Sequence, residues 1–152
     1  MDHRKHISPL RIVAMILVLT LTLPMGAHAA TPETVQPLAS DYLDFYSAYT
    51  HAAGDAKVQV YFDVKGTSYI PKLGVTEIKL YHSIDSQTWY LAQTYSYETT
   101  SGLMSYGQKI HSGHVDFDGV PGRFYKATVT FYGGTTSSGD YLEYDTSVIL
   151  ST

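Results

Sequence analysis

The chain contains no cysteine. That excludes disulfide staples, zinc sites that rely on thiolates, a cysteine nucleophile and a lipid-modified N-terminal cysteine. Basic residues are scarce: ten Lys and Arg stand against 14 Asp and Glu, for a net charge of −4. Such a balance argues against nucleic acid as a partner and against electrostatic docking on anionic lipid. Long apolar runs are missing too. The one apolar stretch, residues 12–23, is 12 residues long, short of the ~18–20 needed to cross a bilayer. No amphipathic helical period follows it.

What stands at the start reads as an address. Arg4, Lys5 and Arg11 precede the apolar stretch, and Pro24, Gly26 and the small-residue pattern Ala27-His28-Ala29 follow it. Together they make residues 1–29 a secretory signal peptide with cleavage expected after Ala29. The remaining 123 residues (152 less 29) suffice for one domain that buries roughly two-thirds of its unfolded surface. Loss of Arg4, Lys5, Arg11 and Asp2 leaves seven basic against 13 acidic residues, about −6. Ser151-Thr152 brings neither an apolar tail nor a basic end. The expected location is therefore secreted and extracellular, with no membrane contact after cleavage. Secretion without cysteine suits a bacterium better than a eukaryotic pathway.

Residues 30–40, with Pro32 and Pro37 among small polar residues, read as a flexible lead-in to a domain at 41–152. Residues 119–134, GVPGRFYKATVTFYGG, are its most heavily specified stretch: a turn, an alternating strand and a double-glycine stop. Tyr125, Ala127, Val129 and Phe131 share one face at period two, and Lys126, Thr128 and Thr130 the other. Residues 57–64 alternate as cleanly, with Val58, Val60, Phe62 and Val64 inward. Further strands are expected over 43–50, 76–83, 89–95, 111–117 and 141–150, the last with Leu142, Tyr144, Val148 and Leu150 on one side. Strands 76–83 and 89–95 form a hairpin about a turn at 84–87. Gly66, Pro71 and Gly74 punctuate a loop over 65–74 whose Tyr69, Ile70 and Leu73 plug one end of the core. Residues 96–108, without a readable period, form a long crossing connection. Seven strands without a helix predict an all-β fold: a single antiparallel two-sheet sandwich, immunoglobulin-like or fibronectin type III-like. In such folds a tyrosine entering the penultimate strand anchors the preceding turn. Tyr125 is placed either for that role or as an ordinary core aromatic.

The strand KVQVYFDVKGT, the hairpin IKLYHSIDSQTW and above all GVPGRFYKATVTFYGG resemble a family of small secreted proteins of unknown function from Gram-positive, Clostridium-type bacteria. The resemblance spans nearly the whole mature domain. Its most specific part is Gly122-x-x-Tyr125-Lys126-Ala127-x-Val129-Thr130-Phe131-Tyr132. It implies fold and export, and it brings no activity or site residue.

Motifs for chemistry are weak. His111 and His114 form an H-x-x-H, but residues three apart on a strand point to opposite faces, so surface histidines are the plainer reading. Asp116-Phe117-Asp118-Gly119 resembles a calcium loop without its remaining oxygen ligands, and a strand end entering a turn explains it as well. The serines and the histidines at 51, 82, 111 and 114 lack a nucleophile-elbow context. The carboxylates Asp85, Glu98, Asp116, Asp118, Glu143 and Asp145 are scattered. No metal, no cofactor and no enzymatic activity are expected, and a small hydrolase without a recognisable motif is the least favoured alternative.

Aromatic content is the compositional oddity. All 14 tyrosines, Trp89 and all five phenylalanines fall after the leader. If the 119–134 strand buries Tyr125 to Phe131, then Phe124 and Tyr132 point outward, joined on that outer face by Tyr81, Tyr90 and Tyr141. Such a face suits stacking on sugar rings or docking of a protein. The commoner reason for tyrosine and threonine on a solvent-facing strand is cross-strand pairing. The functional expectation is a non-enzymatic binding or adhesion module for a protein partner or an extracellular carbohydrate. The alternative is a self-associating structural protein of an extracellular matrix.

Overall fold

The computed structural model describes residues 40–152, so the signal peptide and nearly all of the lead-in lie outside the described residues. Seven strands follow one another: β1 (Leu43–Gly54), β2 (Lys57–Ser83), β3 (Tyr90–Ser96), β4 (Met104–Asp118), β5 (Phe124–Gly134), β6 (Gly139–Asp145) and β7 (Ile149–Leu150). There is no helix among the described residues. All pairings are antiparallel and all seven strands belong to one hydrogen-bonded sheet.

The all-β class and the strand number match the expectation, but the partition does not. Residues 57–64, 65–74 and 76–83, expected as strand, loop and strand, form the single 27-residue β2. Residues 141–150, expected as one strand, are broken into β6 and β7. β4 begins at Met104 rather than near 111, so the later part of the expected crossing connection is strand.

β2 is the spine. Its first half pairs with β1 on one edge and β4 on the other; its second half pairs with β5 and β3. The β4 register continues from Lys57 to Gly74, so β4 and β3 share one edge of β2, and β1 and β5 share the other. Extended chain persists through the glycines and proline because β1 pairs up to Gly66 on one edge, β4 resumes at Ile70 on the other, and β5 takes over from Lys72. The loop signals survive as a bulge: Lys65 to Ile70 on β2 is matched only by Ile110 to Gln108 on β4. Pro71 belongs to no ladder pair, so its missing N–H costs no bond. Ile70 and Leu73 enter the core as expected, but Tyr69 is 76% exposed.

The core is built from one face of the curled sheet. β5 contributes Tyr125, Ala127, Val129 and Phe131, all nearly inaccessible, as alternation predicts. β2 contributes Val58, Val60, Phe62 and Val64, then Leu73 and Val75, then Ile78 and Leu80. Its inward set changes parity along the strand, and a register shift between Val75 and Glu77 accompanies the second change. On β7 and the segment before it, Val148 and Leu150 are exposed rather than inward.

Side chains complete the curl into a half-barrel. The Tyr46 ring of β1 meets Phe131 of β5 at 5.3 Å and Tyr144 of β6 at 6.3 Å between centroids. The Thr50 and Thr146 hydroxyls share a buried 2.6 Å hydrogen bond, and the Ala127 amide donates to Thr146 Oγ1 at 2.9 Å. At the other end of β1, the Ser40 hydroxyl and the Tyr42 amide both donate to Asp140 Oδ2. Tyr125 fills both roles that the sequence left open. It is a core aromatic, and its phenol oxygen accepts the Val120 amide at 2.9 Å, pinning the turn before β5.

Candidate functional site

Tyr132 falls on the outer face of β5 in register opposite Tyr141 of β6, yet it is only 7% exposed. The glycines explain this. Gly134 pairs with Gly139 in the next row, and neither offers a side chain, so the Tyr132 ring lies across them. A Cβ on Gly139 would stand 2.6 Å from the ring. The ring reaches the hairpin loop, where its phenol donates to the Thr135 carbonyl at 2.5 Å. Burial, reinforced by the neighbouring Tyr141, holds the Tyr132 phenol above its ordinary pKa, so it stays a neutral donor. Tyr141 packs on it with centroids 4.7 Å apart and ring planes at 51°, and it remains 65% exposed.

These two rings form one wall of a cleft of about 190 Å³. Lys72 and Thr76 of β2, Tyr97 after β3 and Met104 at the start of β4 form the rest, with Thr135 and Thr136 of the β5–β6 loop as a rim. The hollow exists because β3 ends and β4 begins along the same edge of β2, while Gly74, between Lys72 and Thr76, stands without a side chain in register with both Tyr132 and Met104. A Cβ on Gly74 would collide with the Leu103 carbonyl, so glycine lets the two chains meet there. Lys72 Nζ lies 5.9 Å from the Tyr97 ring centroid. No carboxylate lines the cleft.

The other outer-face residues do not join this site. Phe124 is eight positions from Tyr132 on β5, roughly 26 Å at ~3.3 Å per residue, so no small ligand touches both. Tyr81 stands opposite Lys126, whose ammonium lies 4.7 Å from the Trp89 ring centroid. Tyr90 is a correction. A register shift between Leu80 and Tyr81 pairs it with His82, and its ring lies 5.9 Å from His82, which in turn neighbours the buried Tyr125. That single extra residue moves Tyr90 off the outer face.

Sequence reasoning missed Lys72, Tyr97, Met104 and the loop threonines. No local pattern marks them, because Lys72 comes from a segment read as a loop, Tyr97 and Met104 from one read as a connection, and the threonines from the stretch after the double-glycine stop. A second hollow was missed too. Across β1, β2 and β4 the rings of Tyr49, Tyr61 and His114 form a row, with centroid spacings of 4.9 Å and 5.0 Å. They line an open groove of about 310 Å³ together with Asp63 and Ser112. Tyr49 and Tyr61 are within 8° of parallel, so their inner faces are spent on each other.

His111 and His114 lie on opposite faces: His111 packs on the buried Phe62 and bonds the Gly102 carbonyl, while His114 stacks on Tyr61. Asp116 is occupied by Gln59, whose amide donates to it at 2.8 Å. Among the described residues no three His, Asp or Glu side chains converge to hold a metal ion. No family model matches the chain, and no curated protein is similar to it in sequence.

Proposed function

We propose that this chain is a secreted, non-enzymatic module that binds carbohydrate through the cleft between Tyr97, Tyr132 and Tyr141. One observation carries the reading: a solvent-open tyrosine ring borders a hollow that also holds hydroxyls and an ammonium. Pyranose rings present an apolar C–H face and a rim of hydroxyls, and this lining offers a partner for each. At about 190 Å³ the cleft is smaller than the ~300–1000 Å³ that encloses a drug-sized ligand, which suits one ring of a longer glycan. The resemblance to small secreted Gram-positive proteins and the signal-like leader agree with an extracellular role. The two halves of the curled sheet, facing each other across the core, act as the layers of an immunoglobulin-like sandwich pinned by the Tyr125 corner.

A glycan array followed by titration tests the reading. Tyr141→Ala removes the exposed ring wall and is expected to weaken binding about tenfold or more, with little change in stability because the ring is largely in solvent. An array without signal would sink the proposal. It would leave self-association as the second reading, for which β4 offers a basis: among the described residues its outer edge pairs with nothing and carries the exposed Tyr106 and Ile110. Light scattering over a concentration series reads that outcome directly.

A further inference from the structure

We propose that the cleft selects a sugar ring that bears a carboxylate, with the Lys72 ammonium as its counter-charge. This rests on the carbohydrate reading of the same site. Among the described residues Lys72 has no carboxylate within ion-pair distance, whereas Lys65 is paired with Asp44 and Lys79 with Glu77. Asp140 accepts the Ser40 hydroxyl and the Tyr42 amide and keeps its negative charge, which is felt at Tyr132, but it does not line the cleft. Other lysines, Lys126 over Trp89 among them, also lack a carboxylate partner among the described residues, but Lys72, over the Tyr97 ring, is the one cation that lines the cleft.

The chemistry of the lining narrows the ligand further. A single ammonium matches a single negative charge, and no arginine is present to grip a phosphoryl or sulfuryl group at two points. The Thr136 hydroxyl and the Tyr141 phenol are neutral groups suited to ring hydroxyls, whereas the Thr76 and Thr135 hydroxyls donate to the Thr130 and Ser138 carbonyls. The expected occupant is therefore a pyranose with one carboxylate, supplied either by a hexuronic acid or by a sialic acid. Both share the feature that the site reads.

The test is a nuclear magnetic resonance titration of the purified protein with glucuronic acid, N-acetylneuraminic acid and glucose. At least one acidic sugar is expected to bind more tightly than glucose, and which one does so identifies the source. Lys72→Gln keeps much of the stem and removes the charge. It is expected to weaken acidic-sugar binding about tenfold to a hundredfold, the range of a hydrogen bond to a charged group, and to weaken glucose binding by clearly less, so that the acid preference is lost. Lys126→Gln makes the same change in net charge outside the cleft and is expected to alter neither. Equal binding of glucose and the acidic sugars, or an acid preference that survives Lys72→Gln, overturns this inference while the carbohydrate reading stands. No binding of any of the three overturns both.

Discussion

Thr146 shows how much one side chain carries in this protein. It interrupts the strand that alternation predicts over 141–150, because its Oγ1 accepts the buried Ala127 amide while its own amide donates to the Ala127 carbonyl. The same hydroxyl bonds Thr50 and so fastens β1 across the core. Thr146→Val keeps the shape and strands the Ala127 N–H. The expected loss is about 1–3 kcal/mol, the cost of an unsatisfied buried donor, measured by urea unfolding, with Thr146→Ser retaining most of the stability. A Val variant as stable as the parent would mean that this bond contributes nothing net. The two roles of Tyr125 were legible beforehand as alternatives, because Asp118-Gly119-Val120-Pro121-Gly122 reads as a turn and the tyrosine follows it directly at an inward position. Thr146 was not, because a threonine in a strand signals only that it fits there.

Elements are decided by their neighbours as much as by their own residues. β5 was readable because its period-two pattern is unbroken from Tyr125 to Phe131, with β2 on one side and β6 on the other. β2 was not, since Gly66, Pro71 and Gly74 are loop signals that only pairing with β4 and β5 overrides. The β5–β6 hairpin holds the clearest element-level test. Gly139→Ala places a methyl against the Tyr132 ring, so the ring must leave the glycine floor or the hairpin must open. Overpacking of this kind costs about 1–3 kcal/mol, and the displaced ring changes the cleft wall. Reduced stability by calorimetry together with lost sugar binding is expected. Unchanged binding would show that the position of Tyr132 does not shape the site.

At the scale of the whole molecule, carboxylates tie the ends of elements and make stability depend on acid. The Thr88 and Gln87 amides and the Ser83 hydroxyl hold Asp85 well below the ordinary carboxylate range, and the Ser40 hydroxyl lowers Asp140. The Lys65 ammonium lowers Asp44 likewise. A depressed folded pKa adds stability that is fully present above the unfolded value of about 3.9 and is lost as pH falls through the folded values. The melting temperature is therefore expected to be level down to about pH 4–5 and to fall below it. Asp85→Asn should be less stable than the parent at pH 6, with the gap closing toward pH 2. A constant gap would mean that the Asp85 charge plays no part.

The sequence by itself determined the all-β class, the inward face of β5, the alternation of residues 57–64, the β2–β3 hairpin and the turn that Tyr125 anchors. Each is written in local order, as a period of two or as turn residues between runs. Only the tertiary structure decided that β2 runs unbroken, that Tyr132 is covered and Tyr90 turned away, and that Lys72, Tyr97 and Tyr141 meet in one cleft. The physical reason is the same in each case: cross-strand hydrogen bonds and bulges set which residues share a face and which distant segments touch, and those partners lie tens of positions away.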